Sequence, residues 1–175
     1  PSSSRSPNSA INLGIGDDCA LINPPLGEEI AMTSDMLVEG RHFLKGTDAE
    51  QLGRKALAVN LSDLAAMGAK PLGFTLSIAL PNIDIQWLEA FSKGLLSIAD
   101  QFHCPLIGGD TTAGPLNISI TALGSTPHGK AIRRSGSQVD DEVWVSGTLG
   151  DARLTLAALR HEIALPINDL QEIEH

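Results

Sequence analysis

Hydrophobic and polar residues alternate along several short segments of the chain, and strict alternation predicts β-strands with one buried face. The pattern is clearest in residues 28–38 (EEIAMTSDMLV), where Ile30, Met32 and Ser34 share one face. A second clear example is GFTLSIAL, which ends at Pro81 because proline cannot donate to a sheet ladder. The predicted strands are residues 28–38, 73–80, 105–107, 116–122 and 142–146.

Apolar residues between these strands recur at helical spacing. Thr47-Asp48-Ala49-Glu50 matches a capping box and predicts a helix start at Thr47, while Gly68 is a C-terminal stop. Asp84 can cap a second helix, and a third helix is predicted over residues 151–161. The apolar face of the second helix consists of Leu88, Phe91, Leu95, Ile98 and Phe102.

Strands and helices are therefore interleaved along the chain. This order predicts an α/β fold of the α+β type, with a mixed or antiparallel four-stranded sheet flanked by helices. Alternating strands indicate a sheet with one face against helices and the other either partly polar or covered by a partner. Strands that are half polar but carry few charges, such as FTLSIAL and LNISITAL, fit a face covered by a partner. Residues 1–10 are rich in serine and proline, and we expect them to form a flexible arm.

Composition narrows the class of protein. The chain has 175 residues, of which 42% are hydrophobic, and a formal net charge of −9. The hydrophobic content excludes overall disorder, and no apolar run is long enough for a membrane span or a secretion signal. The excess of acid and the absence of Tyr argue against a nucleic acid partner. We expect a soluble, acidic, cytoplasmic domain.

Five aspartates stand beside glycine, serine or threonine and are candidates for metal binding. Carboxylates at element ends can converge on one edge of a sheet, where several could hold magnesium ions against a polyphosphate. The alternative for each is a helix cap or an Asx-turn. Asp63 is the exception, because it is predicted in mid-helix, where Asp has poor propensity and nothing to cap. The five are Asp17, Asp18, Asp35, Asp63 and Asp110.

Glycines and basic residues offer further candidates. Gly14, Gly16, Gly108 and Gly109 either provide positive φ in turns or let backbone N–H groups approach a phosphate. Arginine in the sequence AIRRSG can fork onto phosphate oxygens, and a solvated surface pair is the alternative. VEGRHF contains a lone histidine, for which simple surface exposure is the alternative to a functional role. No Walker A motif is present, and Cys19 and Cys104 are predicted to be small packed residues.

The motifs LGIGDDCA, TSDMLVEGRHF, KALAVNLSDLAAMGAKP, LIGGDTTAGP and RRSG occur in an order that resembles the thiamine-monophosphate kinase family. The resemblance extends from about Leu13 through Asp151, and the broader superfamily includes aminoimidazole ribonucleotide synthetase. It implies a kinase that uses ATP to phosphorylate thiamine monophosphate to thiamine diphosphate, with Mg²⁺ and without a covalent nucleophile. It also implies a homodimer in which two sheets form a barrel.

By this resemblance, individual residues acquire expected roles. His42 is expected at the thiamine phosphate, and Gly109, Asp110 and Arg134 at ATP. Ala113 departs from the family, which commonly has arginine after GGDTT. The expected magnesium ligands are Asp18, Thr33, Ser34, Asp35, Asp63 and Asp110.

The resemblance also sets the expected domain organisation. Residues 11–139 are expected to form the ATP- and magnesium-binding and dimerisation domain, and residues 140–175 the beginning of a truncated second α/β domain. Residues 1–175 alone are expected to be inactive. Two other functions stay open: a sister ATP-dependent enzyme acting on another substrate, and an inactive nucleotide-binding and dimerisation module.

Overall fold

The structure, a computed structural model of the chain, describes residues 10–145 and 147–164. These residues divide into two compact units, one ending at Gly136 and the other beginning at Ser137. The predicted arm, apart from Ala10, lies outside the described residues, as do positions 165–175 of the predicted second domain. None of the helices in the described part of the chain is both long and apolar enough to cross a membrane.

Among the described residues, the first unit contains six strands and two helices, and the second unit contains one helix. The elements in chain order are β1 (Ile11–Leu13), β2 (Leu21–Ile22), β3 (Glu28–Val38), α1 (Ala49–Ala66), β4 (Lys70–Leu80), α2 (Ile85–Gln101), β5 (Leu106–Ala113), β6 (Asn117–Pro127) and α3 (Asp151–Leu159).

Four of the strands form a mixed sheet, which confirms the predicted fold class. Their order is β3-β6-β4-β5. β6 pairs antiparallel with both β3 and β4, whereas β4 and β5 are parallel. β3 and β5 are therefore the two edge strands. The remaining strands, β1 and β2, form a separate antiparallel pair.

Helix α1 begins one residue later than the capping box predicts. Asp48 is the N-cap, and its carboxylate accepts a hydrogen bond from the Gln51 backbone N–H at 2.9 Å. The Thr47 hydroxyl instead donates to the Leu44 carbonyl oxygen. The predicted stop is confirmed, because Gly68 has φ +67° and the chain leaves the helix there. Asp84 caps α2 as predicted, accepting from two backbone N–H groups.

One hydrophobic core joins both helices to one face of the sheet. Phe74, which is fully buried, and Ile120 supply the sheet side of this core, and Leu57 and Phe91 supply the helix side. Of the predicted α2 face, Phe102 is the exception, since it is 46% exposed. The apolar positions that alternate along GFTLSIAL are buried or packed against this core, as the sequence predicts: Phe74, Leu76, Ile78 and Leu80.

The two helices touch where each carries a glycine. A Cβ built on Gly94 would lie 1.9 Å from the Glu50 carbonyl oxygen, and one built on Gly53 would lie 2.1 Å from the Phe91 carbonyl oxygen. No larger residue fits at either position unless the helix backbones separate. This contact sets how closely α2 approaches α1.

The outward face of β3 carries exposed apolar residues. Ile30, Met32 and Met36 are 42%, 70% and 55% exposed, and Ser34 lies among them. The predicted alternation of β3 is confirmed. This row is the surface that the sequence suggests a partner would cover.

The second unit differs from prediction in one element. Residues 142–145 form no strand, and Ser146 lies outside the described residues. Val143, Trp144 and Val145 are exposed, and within residues 137–145 and 147–164 this short apolar run pairs with no strand. The predicted third helix is present as α3, and Arg153 forms an ion pair with Glu162 after its end.

Candidate active site

A cavity in the first unit lies between β5 and the segment that precedes β2. Its volume is about 390 Å³. Asp17 and Asp18 line it from the segment 15–20, and Asp110 lines it from β5 together with Gly108 and Gly109. Three of the five candidate aspartates thus line one cavity together with three of the four candidate glycines, Gly16 being the third.

Gly109 has a conformation and a position that require glycine. Its φ is +145°, and a Cβ there would lie 1.9 Å from the Leu76 carbonyl oxygen of the neighbouring strand. Gly16, on the opposite side of the cavity, also has a positive φ of +117°, whereas the φ angles of Gly14 and Gly108 are not positive. The sequence predicted a strand ending at Ile107, but β5 continues through this point to Ala113. Asp110 therefore lies within a strand and not at its end.

A second group of candidates lies at the opposite edge of the sheet. The Thr33 hydroxyl of β3 donates to Asp63 Oδ2 at 2.7 Å, which joins the strand to the last turn of α1. Asp35 lies two residues further along β3 and is half-buried. Ser34 Oγ is 2.9 Å from Thr121 Oγ1 on β6. Asp63 lies in the last turn of α1 and not in mid-helix as predicted, and it is exposed, so its side chain is available to a ligand.

The sheet order separates these two groups within one chain. Asp35 is on edge strand β3 and Asp110 is on edge strand β5. Three strand spacings of about 4.8 Å put the edges roughly 14 Å apart. Within residues 10–145 and 147–164, no three His, Cys, Asp or Glu side chains come close enough to hold one metal ion. The expected ligand set stays a prediction, with its members in two places.

The chemistry of each group nevertheless suits magnesium bound together with phosphate. Mg²⁺ is usually held by one or two carboxylates, with waters and substrate phosphates completing its shell. Asp18 and Asp110 at the cavity, and Asp35 and Asp63 at the other edge, each provide such a pair of oxygen donors. Asp17 differs from Asp18 because its Oδ1 already accepts the Asp18 backbone N–H at 2.8 Å. The donors present therefore fit the metal that the sequence predicts.

His42 lies in the loop after β3, where its ring closes the end of the strand. The Val38 backbone N–H donates to His42 Nδ1 at 3.0 Å, and the His42 backbone N–H donates to the Val38 carbonyl oxygen at 2.9 Å. The side chain is exposed. Val38 is five residues beyond Thr33 on β3, so His42 is roughly 15 Å from the Thr33–Asp63 pair.

The remaining candidates include both exposed and buried side chains. Arg133 and Arg134 are both exposed, which fits either a phosphate contact or a surface pair. Cys104 is buried as predicted, and burial raises the pKa of its thiol to about 11. The prediction is wrong for Cys19, which is exposed and lines the cavity.

Sequence reasoning missed two residues that contact the candidates. Thr121 meets Ser34 across the sheet, and the Lys55 Nζ of α1 donates to the His42 carbonyl oxygen at 2.6 Å. Thr121 lies outside the quoted motifs, and Lys55 is the first residue of KALAVNLSDLAAMGAKP, where the sequence assigned it no role. Strand pairing and helix packing bring them to the site, so only the register of β6 and the orientation of α1 identify them.

The chain resembles known proteins over most of its length. It is 48% identical to the thiamine-monophosphate kinase of Salmonella typhimurium over 159 residues, which are 91% of this chain and 49% of that protein. The crystal structure of thiamine-monophosphate kinase from Stenotrophomonas maltophilia K279a matches with a TM-score of 0.86 and 46% identity, covering 95% of this chain and 54% of that one.

A third match has bound ligands. The structure described as AaThiL complexed with AMPPCP and TMP has a TM-score of 0.76 and 31% identity, covering 86% of this chain and 48% of that chain. The chain thus spans about half the length of the curated relatives it matches.

A family model covers the part of the chain that contains the cavity. Residues 16–126 match the family described as AIR synthase related protein, N-terminal domain. The matched range begins at Gly16 beside the cavity and continues to the penultimate residue of β6, so it includes every strand of the four-stranded sheet. The chain therefore belongs to the family of AIR synthase related proteins and contains their N-terminal domain.

Proposed function

We propose that the protein to which this chain belongs is a kinase that transfers the γ-phosphoryl group of ATP to thiamine monophosphate, forming thiamine diphosphate. The observation that carries the proposal is the cavity where Asp18 and Asp110 flank Gly109, in a chain that is 48% identical to a thiamine-monophosphate kinase. We further propose that the activity is cytoplasmic, since ATP is its co-substrate.

The residues at the cavity suit phosphoryl transfer, which depends on positioning and charge neutralisation more than on covalent catalysis. Gly109 and Gly108 line the cavity beside Asp110, where backbone N–H groups can bind phosphate oxygens. Arg134 supplies a guanidinium that can fork onto ATP phosphate oxygens, and His42 supplies a donor for the phosphate of the acceptor. No residue is required to form a covalent intermediate.

Magnesium is proposed as the cation that offsets the charge of the two substrates and the aspartates. When bound, it would neutralise phosphate oxygens and fix their geometry. Asp18 and Asp110 would hold it at the cavity, and Asp35 and Asp63 at the other edge, where Thr33 already bonds Asp63 and Ser34 is adjacent. Exchange of Asp18, Asp35, Asp63 and Asp110 singly for Asn tests this set, and wild-type activity in all four variants would contradict it.

A homodimer is proposed from the outward face of β3. Ile30, Met32 and Met36 expose apolar surface in one row of an edge strand, and such a row is an unusual feature of a monomer. Pairing two four-stranded sheets across this face would bury the row and close a barrel. Sedimentation that finds only monomer at high protein concentration would contradict the dimer.

The second unit is proposed to be the start of a further α/β domain, beginning near residue 140. Its exposed Val143, Trp144 and Val145 offer apolar surface for such a domain to cover. We propose that this domain completes the cleft, and that residues 1–175 alone bind magnesium and ATP weakly and turn over little. Comparable turnover by this chain and by the intact protein would contradict the need for it.

The deciding experiment is an assay of ADP release by the intact protein with ATP, Mg²⁺ and thiamine monophosphate, with thiamine diphosphate quantified by chromatography. Formation of thiamine diphosphate in step with ADP is expected. ATP binding without thiamine diphosphate formation would favour a sister enzyme with another acceptor. Absence of both turnover and ATP binding would favour a module that serves only for association.

A further inference from the structure

The loop between β3 and α1 holds His42 in one orientation relative to the strand. Its ring nitrogen Nδ1 accepts the Val38 backbone N–H at 3.0 Å, and its own backbone N–H donates to the Val38 carbonyl oxygen at 2.9 Å. The next residue, Phe43, is 7% exposed and anchors the loop in the core. Gly40, which has φ +77°, donates its N–H to the Phe43 carbonyl oxygen. The loop is therefore held against the end of β3 by hydrogen bonds and by the buried Phe43 side chain.

Lys55 holds the same histidine from the helix side. Its Nζ lies 2.6 Å from the His42 carbonyl oxygen, and the two residues are thirteen positions apart in sequence. A hydrogen bond from a charged donor is roughly twice as strong as a neutral one. His42 is thus fixed at its backbone N–H, its carbonyl oxygen and one ring nitrogen, by groups from two different elements.

These contacts determine which ring nitrogen can donate. Because Nδ1 of His42 accepts a hydrogen bond, the proton of the neutral imidazole is on Nε2. The side chain is exposed, so the Nε2–H group is available to an acceptor such as a phosphate oxygen. A change in loop position that weakened the Val38 contact would release the ring to its other tautomer and remove this donor.

We infer that Lys55 is a positioning residue for His42, holding its imidazole as an Nε2–H donor toward the phosphate of the acceptor substrate. The identity of that substrate rests on the function proposed above, whereas the effect on the ring does not. Lys55 acts through His42 and is not assigned a contact with substrate. Its ammonium has the His42 carbonyl as its partner.

Kinetics of the intact protein test the inference at the substrate. Lys55→Met keeps the length of the side chain but removes the charged donor. It is expected to raise KM for thiamine monophosphate about tenfold, with kcat and KM for ATP within about twofold of wild type. Lys55→Arg retains a donor and should restore most of the affinity. Lys45→Met is the matched control, because it removes the same charge from the loop but no hydrogen bond to His42.

Nitrogen NMR of the histidine rings tests the inference without substrate. In wild type, the His42 signals, identified by their loss in His42→Gln, should be those of a protonated Nε2 and an unprotonated Nδ1. In Lys55→Met the two signals should move toward each other as the tautomers mix, and in Lys45→Met they should not.

Three outcomes overturn the inference. The first is an unchanged KM for thiamine monophosphate in Lys55→Met, and the second is a raised KM with unchanged ring signals. The third is an equal effect in Lys45→Met. If wild type does not turn over thiamine monophosphate, the proposed function fails, and the ring signals alone decide the role of Lys55.

Discussion

The contact between α1 and α2 predicts that a change normally favourable in a helix will destabilise this protein. Alanine in place of glycine stabilises a helix interior by about 1 kcal/mol. Gly94 is in α2, so propensity alone predicts that Gly94→Ala raises stability. The Glu50 carbonyl oxygen, 1.9 Å from the new Cβ, predicts the opposite.

The size of the effect follows from the separation that the new methyl group requires. An ordinary carbon–oxygen contact is about 3.3 Å, so the helices must move apart by roughly 1.4 Å. A gap of about 1 Å already forfeits up to half of a dispersion contact. Phe91, Leu95 and Ile98 are at most 7% exposed, and their burial contributes about 2 kcal/mol each. Because the gap exceeds 1 Å, losing half or slightly more of this total destabilises the protein by roughly 3–4 kcal/mol. After the gain in propensity, about 2–3 kcal/mol of net destabilisation remains.

Urea and thermal denaturation followed by circular dichroism measure this change. A loss of 2–3 kcal/mol corresponds to a Tm lower by roughly 5–10 °C for a chain of this size. Ser92→Ala is the control in the same helix, because Ser92 is exposed, and its effect should stay within about 0.5 kcal/mol. Gly53→Ala opens the same gap, so the double variant should lose less than the sum of the two. A Gly94→Ala protein more stable than wild type would refute the reasoning.

Three further predictions concern the site and the core. Asp110→Asn should reduce turnover of the intact protein about a hundredfold. Asp17→Asn should reduce it less, because the Asp17 carboxylate already accepts a backbone N–H, and equal initial rates of ADP release in the two variants would contradict this. Burial raises the pKa of the Cys104 thiol from 9.0 to about 11, so the unfolded chain loses this proton first. Stability measured in urea should therefore fall as pH rises from 9 to 11, and Cys104→Ala should weaken that dependence. Asn60 is fully buried, and its Oδ1 has no hydrogen-bond partner among the described residues. Asn60→Leu should therefore leave the free energy of unfolding unchanged or raise it by about 1 kcal/mol, and a loss above about 2 kcal/mol would show that Oδ1 has a partner.

Local patterns were sufficient to predict most elements of the first unit. The alternation in residues 28–38 matches the bounds of β3, and Asp84 caps α2 as its position before the apolar run predicts. Both features depend on residues within one or two turns of each other, because side-chain period and backbone capping are local properties. The same local rules failed at residues 142–145, where a short apolar run has no neighbouring strand among the described residues of its unit.

The arrangement of the site was decided only by the tertiary structure. The sequence placed Asp35 on a predicted strand and Asp110 just beyond another, but the order β3-β6-β4-β5 puts the two residues at opposite edges of the sheet. Thr33 meets Asp63 across thirty positions, and Lys55 meets His42 because α1 packs back along β3. The close approach of Gly53 and Gly94 is likewise a property of two helices together. Strand order, register and helix approach depend on how remote segments bury their apolar faces against one another, and no single segment contains that information.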